Sequence, residues 1–142
     1  MVFLALDVGD KTIGVAATDE LGWTAQPVRT IRRSNLADDL DELAEIVAER
    51  EPGRLVIGMP LNMDDSEGPR ATKTRHFAGH VAARFGLPIV LWDERLTTWE
   101  AERMLREMNV NAKRRREVID TVAAVVILKS YLDSGSPEQG IP

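Results

Sequence analysis

MVFLALDVGDKTIGVAATD, residues 1–19, is the stretch from which the rest of the chain can be read. Residues 2–6 form a continuous apolar run, the pattern of a strand buried on both faces. Asp7 follows at once, Gly9 permits a tight turn, and Thr12–Thr18 returns as a second strand rich in β-branched residues. A carboxylate at the inner end of a buried strand, beside a glycine turn, can hold a metal ion or reach a phosphate through one. Asp also opens ordinary hairpin turns, and this stretch alone leaves both roles open.

Working outward, Thr24–Ile31 reads as a third strand, with Pro27 suited to a sheet edge. Asn35 can cap a helix to about Arg50, whose apolar face is Leu36, Leu40, Leu43, Ala44 and Val47; Pro52-Gly53 stops it. Leu55–Gly58 is a short buried strand. Residues 59–69 hold too much Pro, Asp, Asn and Gly for regular structure, and a second helix covers about Arg70–Phe85. Pro88–Trp92 makes a fifth strand, and Thr97 or Thr98 caps a third helix to about Met108. A basic linker, Asn109–Arg116, leads into a last helix ending near Asp133, and residues 135–142 are expected as a flexible tail behind a single domain of residues 1–134. Two antiparallel hairpins followed by β-α-β-α units predict an α/β fold. Its five-stranded mixed sheet has strands one, four and five as the parallel centre and helices on the faces.

Composition narrows the possible chemistry. At 142 residues, with 44% apolar and 29% charged, the chain has the size and make-up of one soluble domain. The absence of cysteine excludes disulfides, thiolate catalysis and cysteine-ligated zinc or iron–sulfur centres, and it suits a cytoplasmic setting. No apolar run approaches the ~20 residues of a membrane span, and no signal-peptide pattern opens the chain, so a membrane partner is not expected. Net charge is −5, yet it is segregated. Acids crowd residues 38–51 and read as a solvated face, whereas Lys113-Arg114-Arg115-Arg116 and Arg70, Lys73, Arg75 are basic clusters able to face phosphates.

In such sheets ligands bind beyond the carboxyl ends of the central strands. Those ends here carry Asp7-Val8-Gly9, Gly58-Met59-Pro60-Leu61-Asn62 and Asp93-Glu94-Arg95. In the last helix, Asp120 shares a face with Ala123, Ala124, Ile127 and Tyr131, and a carboxylate on a buried face needs a cationic partner or a metal. Asp7, Asp120 and either Asp93 or Glu94 would form an all-oxygen site suited to Mg²⁺ or Mn²⁺; two such ions can drive phosphodiester hydrolysis. Strand alternation leaves Asp93 and Glu94 unresolved. His76 and His80 lack further ligands, and Trp23, Trp92 and Trp99 are expected in the core.

LDVGDKTIGVA (6–16), GMPLNMDDSEGPRATKTRHFA (58–78), DERLTTWEAERML (93–105) and VIDTVAAVVILKSYL (118–132) resemble, in this order, the YqgF/RuvX family of ribonuclease H-like proteins, relatives of the RuvC Holliday junction resolvases. The resemblance implies a ribonuclease H-like fold, catalytic and metal-binding roles for Asp7, Glu94 and Asp120, and the choice of Glu94 over Asp93. It also implies nuclease action on a small-subunit ribosomal RNA precursor. The competing substrates are single-stranded DNA and a four-way DNA junction, the last requiring a symmetric dimer to cut two strands. Lys11, Asn62, Arg70, Lys73, Arg95 and the run Lys113, Arg114, Arg115, Arg116 are the candidate substrate contacts. A non-catalytic nucleic-acid-binding module is disfavoured because all three carboxylates are present, and an actin-like ATPase would need a second domain. Asp65 stands where the motif leads one to expect Gly.

Overall fold

The computed structural model describes residues 1–96, 103 and 112–142, the side chains of 96 and 112–120 excepted. Five strands, β1 (Phe3–Val8), β2 (Thr12–Thr18), β3 (Ala25–Arg32), β4 (Arg54–Met59) and β5 (Ile89–Asp93), form one sheet in the order β3-β2-β1-β4-β5. β1, β4 and β5 run parallel, and β2 and β3 pair antiparallel on the β1 side, as the sequence predicts; β5, however, expected in the buried centre, is the sheet's edge strand and is mostly half-buried, because among the described residues no strand pairs beyond it. The described helices are α1 (Leu36–Arg50), α2 (Pro69–Phe85) and α3 (Ala112–Asp133), with a short 3₁₀ turn at Glu94–Leu96. The expected third helix over 97–108 lies outside the described residues, as does Trp99. Among the described residues, no helix is long and apolar enough to cross a membrane.

Alternation along the strands sorts the core into two layers. Leu4, Leu6 and Val8 of β1 join Leu55 and Ile57 of β4, and pack with Leu40, Leu43 and Ile46 of α1 and Phe77 and Val81 of α2. Phe3 and Ala5 join Val56 and Val90 on the opposite face, under Ala124, Val125, Ile127, Leu128 and Tyr131 of α3. Each fully buried Leu or Ile stabilises by about 1.5–3 kcal/mol, so both faces contribute strongly. Tyr131 locks the α3 layer: its ring stands edge-on to Phe3 and Trp92 at 5.7 and 5.3 Å, and its hydroxyl accepts from Arg54 Nη1 at 2.7 Å.

Local signals set the helix ends. The Asn35 side chain accepts from the Asp38 N–H at 2.9 Å, and α1 ends at Glu51 in the left-handed region. Pro69 opens α2, and Gly86, at φ 64°, ends it. The residues expected to form a flexible tail run back beside the edge strand β5. There the Ile141 N–H donates to the Leu91 carbonyl at 2.8 Å, and a Cβ on Gly140 would stand 2.0 Å from that oxygen.

Three expectations are corrected. Trp23 is 76% exposed: it sits in the β2–β3 turn, where the Asp19 carboxylate accepts from the Trp23 and Thr24 N–H groups and the indole is left at the turn's outer side. Leu36, placed on the apolar face of α1, is exposed at the helix's first turn, and Ile46 takes its place in the core. The acidic run is not wholly solvated, because Asp39 is only 2% exposed. Its carboxylate accepts from Arg33 Nε at 3.2 Å and from the Ser34 N–H at 3.0 Å. Removing one partner of such a buried pair leaves the other uncompensated. Asp39→Ala should therefore cost about 2–3 kcal/mol in urea unfolding, whereas Glu49→Ala, from the solvated part of the same run, should stay within about 0.5 kcal/mol.

Candidate active site

Asp7 belongs by alternation with Phe3 and Ala5, which puts it on the sheet face that α3 covers. Its antiparallel partner in β2 is Gly14. On the other side the β1–β4 register runs from Phe3–Arg54 to Leu6–Ile57, and one step further sets Asp7 beside Gly58. Both flanking residues lack a side chain, so the carboxylate emerges between two low points in the sheet surface.

Gly58 is where the second carboxylate arrives. A Cβ built there would stand 3.1 Å from Glu94 Oε2 and 2.6 Å from Ile127 Cδ1 of α3. The space of one missing methyl group thus admits Glu94 from the end of β5 and lets α3 approach closely. Asp93, one residue earlier, is held by Arg95, whose Nη2 donates to it at 2.7 Å and whose backbone N–H donates at 3.0 Å. Two adjacent acids are therefore divided in role: Glu94 reaches the α3 face, and Asp93 serves as the anchor of Arg95.

The electrostatics follow that division. Burial pushes the Glu94 carboxyl above the usual carboxylate range; Arg70 opposes the shift and Asp93 adds to it. The Arg95 guanidinium, with its hydrogen bonds, holds Asp93 below that range against a smaller effect of burial. Glu94 opens into a cleft of about 430 Å³ lined also by Asn62, Arg70, Arg95, Leu61 and Pro69.

The turn after Asp7 is braced from behind. The Gly9 N–H donates to the Thr12 carbonyl at 2.8 Å, closing the tip. Arg33 Nη1 donates to the Gly9 carbonyl at 2.8 Å, and the Arg33 N–H to the Lys11 carbonyl at 2.8 Å. Arg33 is itself held by Asp39 and lies over the Phe77 ring at 5.2 Å. Neither Arg33 nor Asp39 stood out in the sequence; the only available signal was an acid at a helical position that faces the core.

The sequence-predicted contacts divide as follows. Asn62, Arg70 and Arg95 line the cleft with Glu94. Lys73 pairs with Asp10 at 3.4 Å, tying α2 to the hairpin tip, and Lys11 is exposed at that tip. Asp120 and the run Lys113–Arg116 lie on the first half of α3, and their side chains are outside the described residues. The next residue, Thr121, brings its hydroxyl within 3.1 Å of the Thr30 hydroxyl of β3. Among the described residues, no group of three His, Cys, Asp or Glu side chains converges on a metal. Asp7 and Glu94 would each offer only oxygen atoms, and a partly desolvated carboxylate gains from a neighbouring cation. The donor chemistry therefore fits a hard divalent ion.

A family model described as RuvX, Holliday junction resolvase, matches residues 1–134. A Listeria monocytogenes protein provisionally named a pre-16S rRNA nuclease is 52% identical over 136 residues, spanning 94% of this chain and 99% of the relative. A Moorella thermoacetica protein of the same name is 54% identical over 133 residues, spanning 94% of this chain and 95% of the relative. Among solved structures, T. thermophilus RuvC in complex with a Holliday junction substrate superposes with a TM-score of 0.60 at 17% identity, covering 96% of this chain and 97% of that one. The Fowlpox virus resolvase with its Holliday junction DNA also gives 0.60, at 10% identity, covering 96% of this chain and all of that one. At these identities the likeness is one of fold, and that fold is ribonuclease H-like.

Because its folded pKa is raised, Glu94 binds its proton more tightly folded than unfolded, and its ionisation lowers stability as pH rises through that range. Glu94→Gln should accordingly raise the melting temperature at pH 7 in metal-free buffer. The gain should vanish in acid, where the wild-type carboxyl is protonated in both states; differential scanning calorimetry at the two pH values checks it.

Proposed function

The chain belongs to the RuvX family, and from that membership we propose that it is a divalent-metal-dependent nuclease that trims the precursor of small-subunit ribosomal RNA. The observation that carries the reading is that the β1–β4 register sets Asp7 beside Gly58, the position over which Glu94 Oε2 lies, at the carboxyl ends of parallel strands. The substrate assignment is supported by relatives more than 50% identical over nearly their whole length that carry the pre-16S rRNA nuclease name. A cytoplasmic setting accords with that substrate.

In this reading Asp7, Glu94 and Asp120 hold Mg²⁺ or Mn²⁺, in a two-ion arrangement. Held there, such ions would supply activation of a water and stabilisation of the leaving oxygen in phosphodiester hydrolysis. The remaining residues bind and orient. Arg70 and Asn62 line the cleft beside Glu94 and face the backbone near the scissile bond. Lys11 and Lys73 extend that surface past the hairpin tip. Lys113–Arg116 carry the polyanion toward the helix that bears Asp120, and such contacts make binding salt-dependent.

Cutting of four-way DNA junctions is the second reading, favoured by the description of the matching family as resolvases. It would use the same centre twice, in a symmetric dimer. Purified protein should be incubated with matched single-stranded RNA, single-stranded DNA, duplex and four-way junction, in Mg²⁺, Mn²⁺ or EDTA. The expected result is metal-dependent cleavage of single-stranded RNA, abolished by EDTA and reduced at least ~10³-fold in Asp7→Asn, with unchanged circular dichroism. Wild-type rates in Asp7→Asn would remove the assignment, and a preference for the junction would replace RNA by DNA as the substrate.

A further inference from the structure

Arg95 is the most heavily engaged side chain beside the cleft. Its Nε donates to both Asp93 oxygens at 3.0 and 3.1 Å, Nη2 donates to Asp93 at 2.7 Å, and Nη1 to the Asn62 carbonyl at 2.7 Å. These contacts alone orient the guanidinium. One more carboxylate is present: Arg95 Nη2 also donates to Asp65 Oδ1 at 2.7 Å. The Asp65 side chain is 81% exposed against 27% for Arg95, so this second acid stands on the solvent side of the guanidinium. That is the side from which a nucleic-acid phosphate would arrive.

The backbone shows that this acid is held where a side chain is disfavoured. Asp65 has φ 69°, in the left-handed region that glycine adopts freely and Asp tolerates at some cost. The loop does not depend on the Asp65 carboxylate for closure. The Asn62 N–H donates to the Ser66 carbonyl at 2.9 Å, the Asp65 N–H to the Asn62 carbonyl at 3.0 Å, and Asn62 Nδ2 to Ser66 Oγ at 3.0 Å. Asp64 is occupied within the loop by the Ser66 N–H at 3.1 Å. Among the described residues, the Asp65 carboxylate is held by the outer edge of Arg95.

We propose that Asp65 is a tethered competitor for substrate phosphate: its carboxylate occupies the face of Arg95 that a nucleic-acid phosphate takes on binding, and so sets the affinity of the cleft. This deepens the proposed function and rests on its nucleic-acid substrate. Carboxylate and phosphate use the same guanidinium fork, so one excludes the other. An exposed ion pair is weak enough to be displaced by a polyanion, and the competition amounts to about a three- to fivefold reduction in affinity.

The test is binding of a labelled single-stranded RNA by fluorescence anisotropy, in EDTA and over a range of salt, for wild type, Asp65→Asn, Asp65→Gly and each combined with Arg95→Gln. Asp65→Asn keeps the shape and tolerates the left-handed backbone, and Asp65→Gly relieves it. Both should bind about three- to fivefold more tightly, with a salt slope steeper by about 0.7, the value of one added phosphate contact on a single strand. Arg95→Gln should cancel the gain. Binding that weakens on Asp65→Asn would make Asp65 a loop brace and overturn the proposal, as would a gain that persists without Arg95. Cleavage is scored separately. Wild type that cuts RNA while Asp65→Asn binds no better removes this inference and leaves the nuclease. Tighter binding by Asp65→Asn without cleavage by any form does the reverse.

Discussion

The side-chain alternation of β1 is the constraint on which the rest depends. A strand buried on both faces must supply apolar residues at every position, and Phe3 to Leu6 do so. Asp7 is the first position at which that demand lapses, at the end of the strand, and its parity assigns it to the α3 face. Every other part of the site is placed relative to that residue. Gly14 and Gly58 flank it, Glu94 enters above Gly58, and α3 closes over the same face through Ile127. A one-residue slip of β1 would turn Asp7 toward α1 and α2, into a layer made of Leu, Ile, Val and Phe. The hydrophobic pattern that folds the sheet therefore also aims the carboxylate.

The site is expensive for the fold and is supported accordingly. Burial raises the Glu94 carboxyl above the usual carboxylate range, which costs stability once it ionises. Around it stand residues that brace its supporting loops. Arg33 fastens the Gly9 and Lys11 carbonyls and is fastened by the buried Asp39, while Arg95 joins the end of β5 to the loop after β4. Each guanidinium uses several donors at once, Arg33 on the Gly9 carbonyl and the Asp39 carboxylate and Arg95 on the Asn62 carbonyl and the Asp93 carboxylate, which a lysine could not reproduce.

Most of the fold was legible because its parallel strands are short, apolar in their middle residues and separated by strong stop signals, so period, length and glycine–proline punctuation agreed. The site was legible in part. Asp7 and the polar ends of β4 and β5 were visible as positions, but the choice of Glu94 over Asp93 came from family resemblance, since it depends on a 3₁₀ turn and on the space above Gly58, neither of which leaves a local pattern. The Arg33–Asp39 brace was invisible because its acid sits in a run that is otherwise solvated, and burial is decided by which way the helix docks. Trp23 misled for the opposite reason: a large aromatic suggests a core, yet a turn held by the Asp19 carboxylate leaves it outside. Asp65 was noticed as a departure from glycine, and its left-handed backbone supplies the physical reason glycine suits that position.

The most direct measurement is to soak crystals of the full chain in Mn²⁺ and locate the ion by its anomalous scattering. The expected result is a peak within coordination distance of both the Asp7 and Glu94 carboxylates, beside Gly58 on the face that α3 covers, and loss of that peak in Asp7→Asn. Manganese bound instead by Asp93 or the exposed acids of the 62–66 loop, with nothing between Asp7 and Glu94, would contradict it.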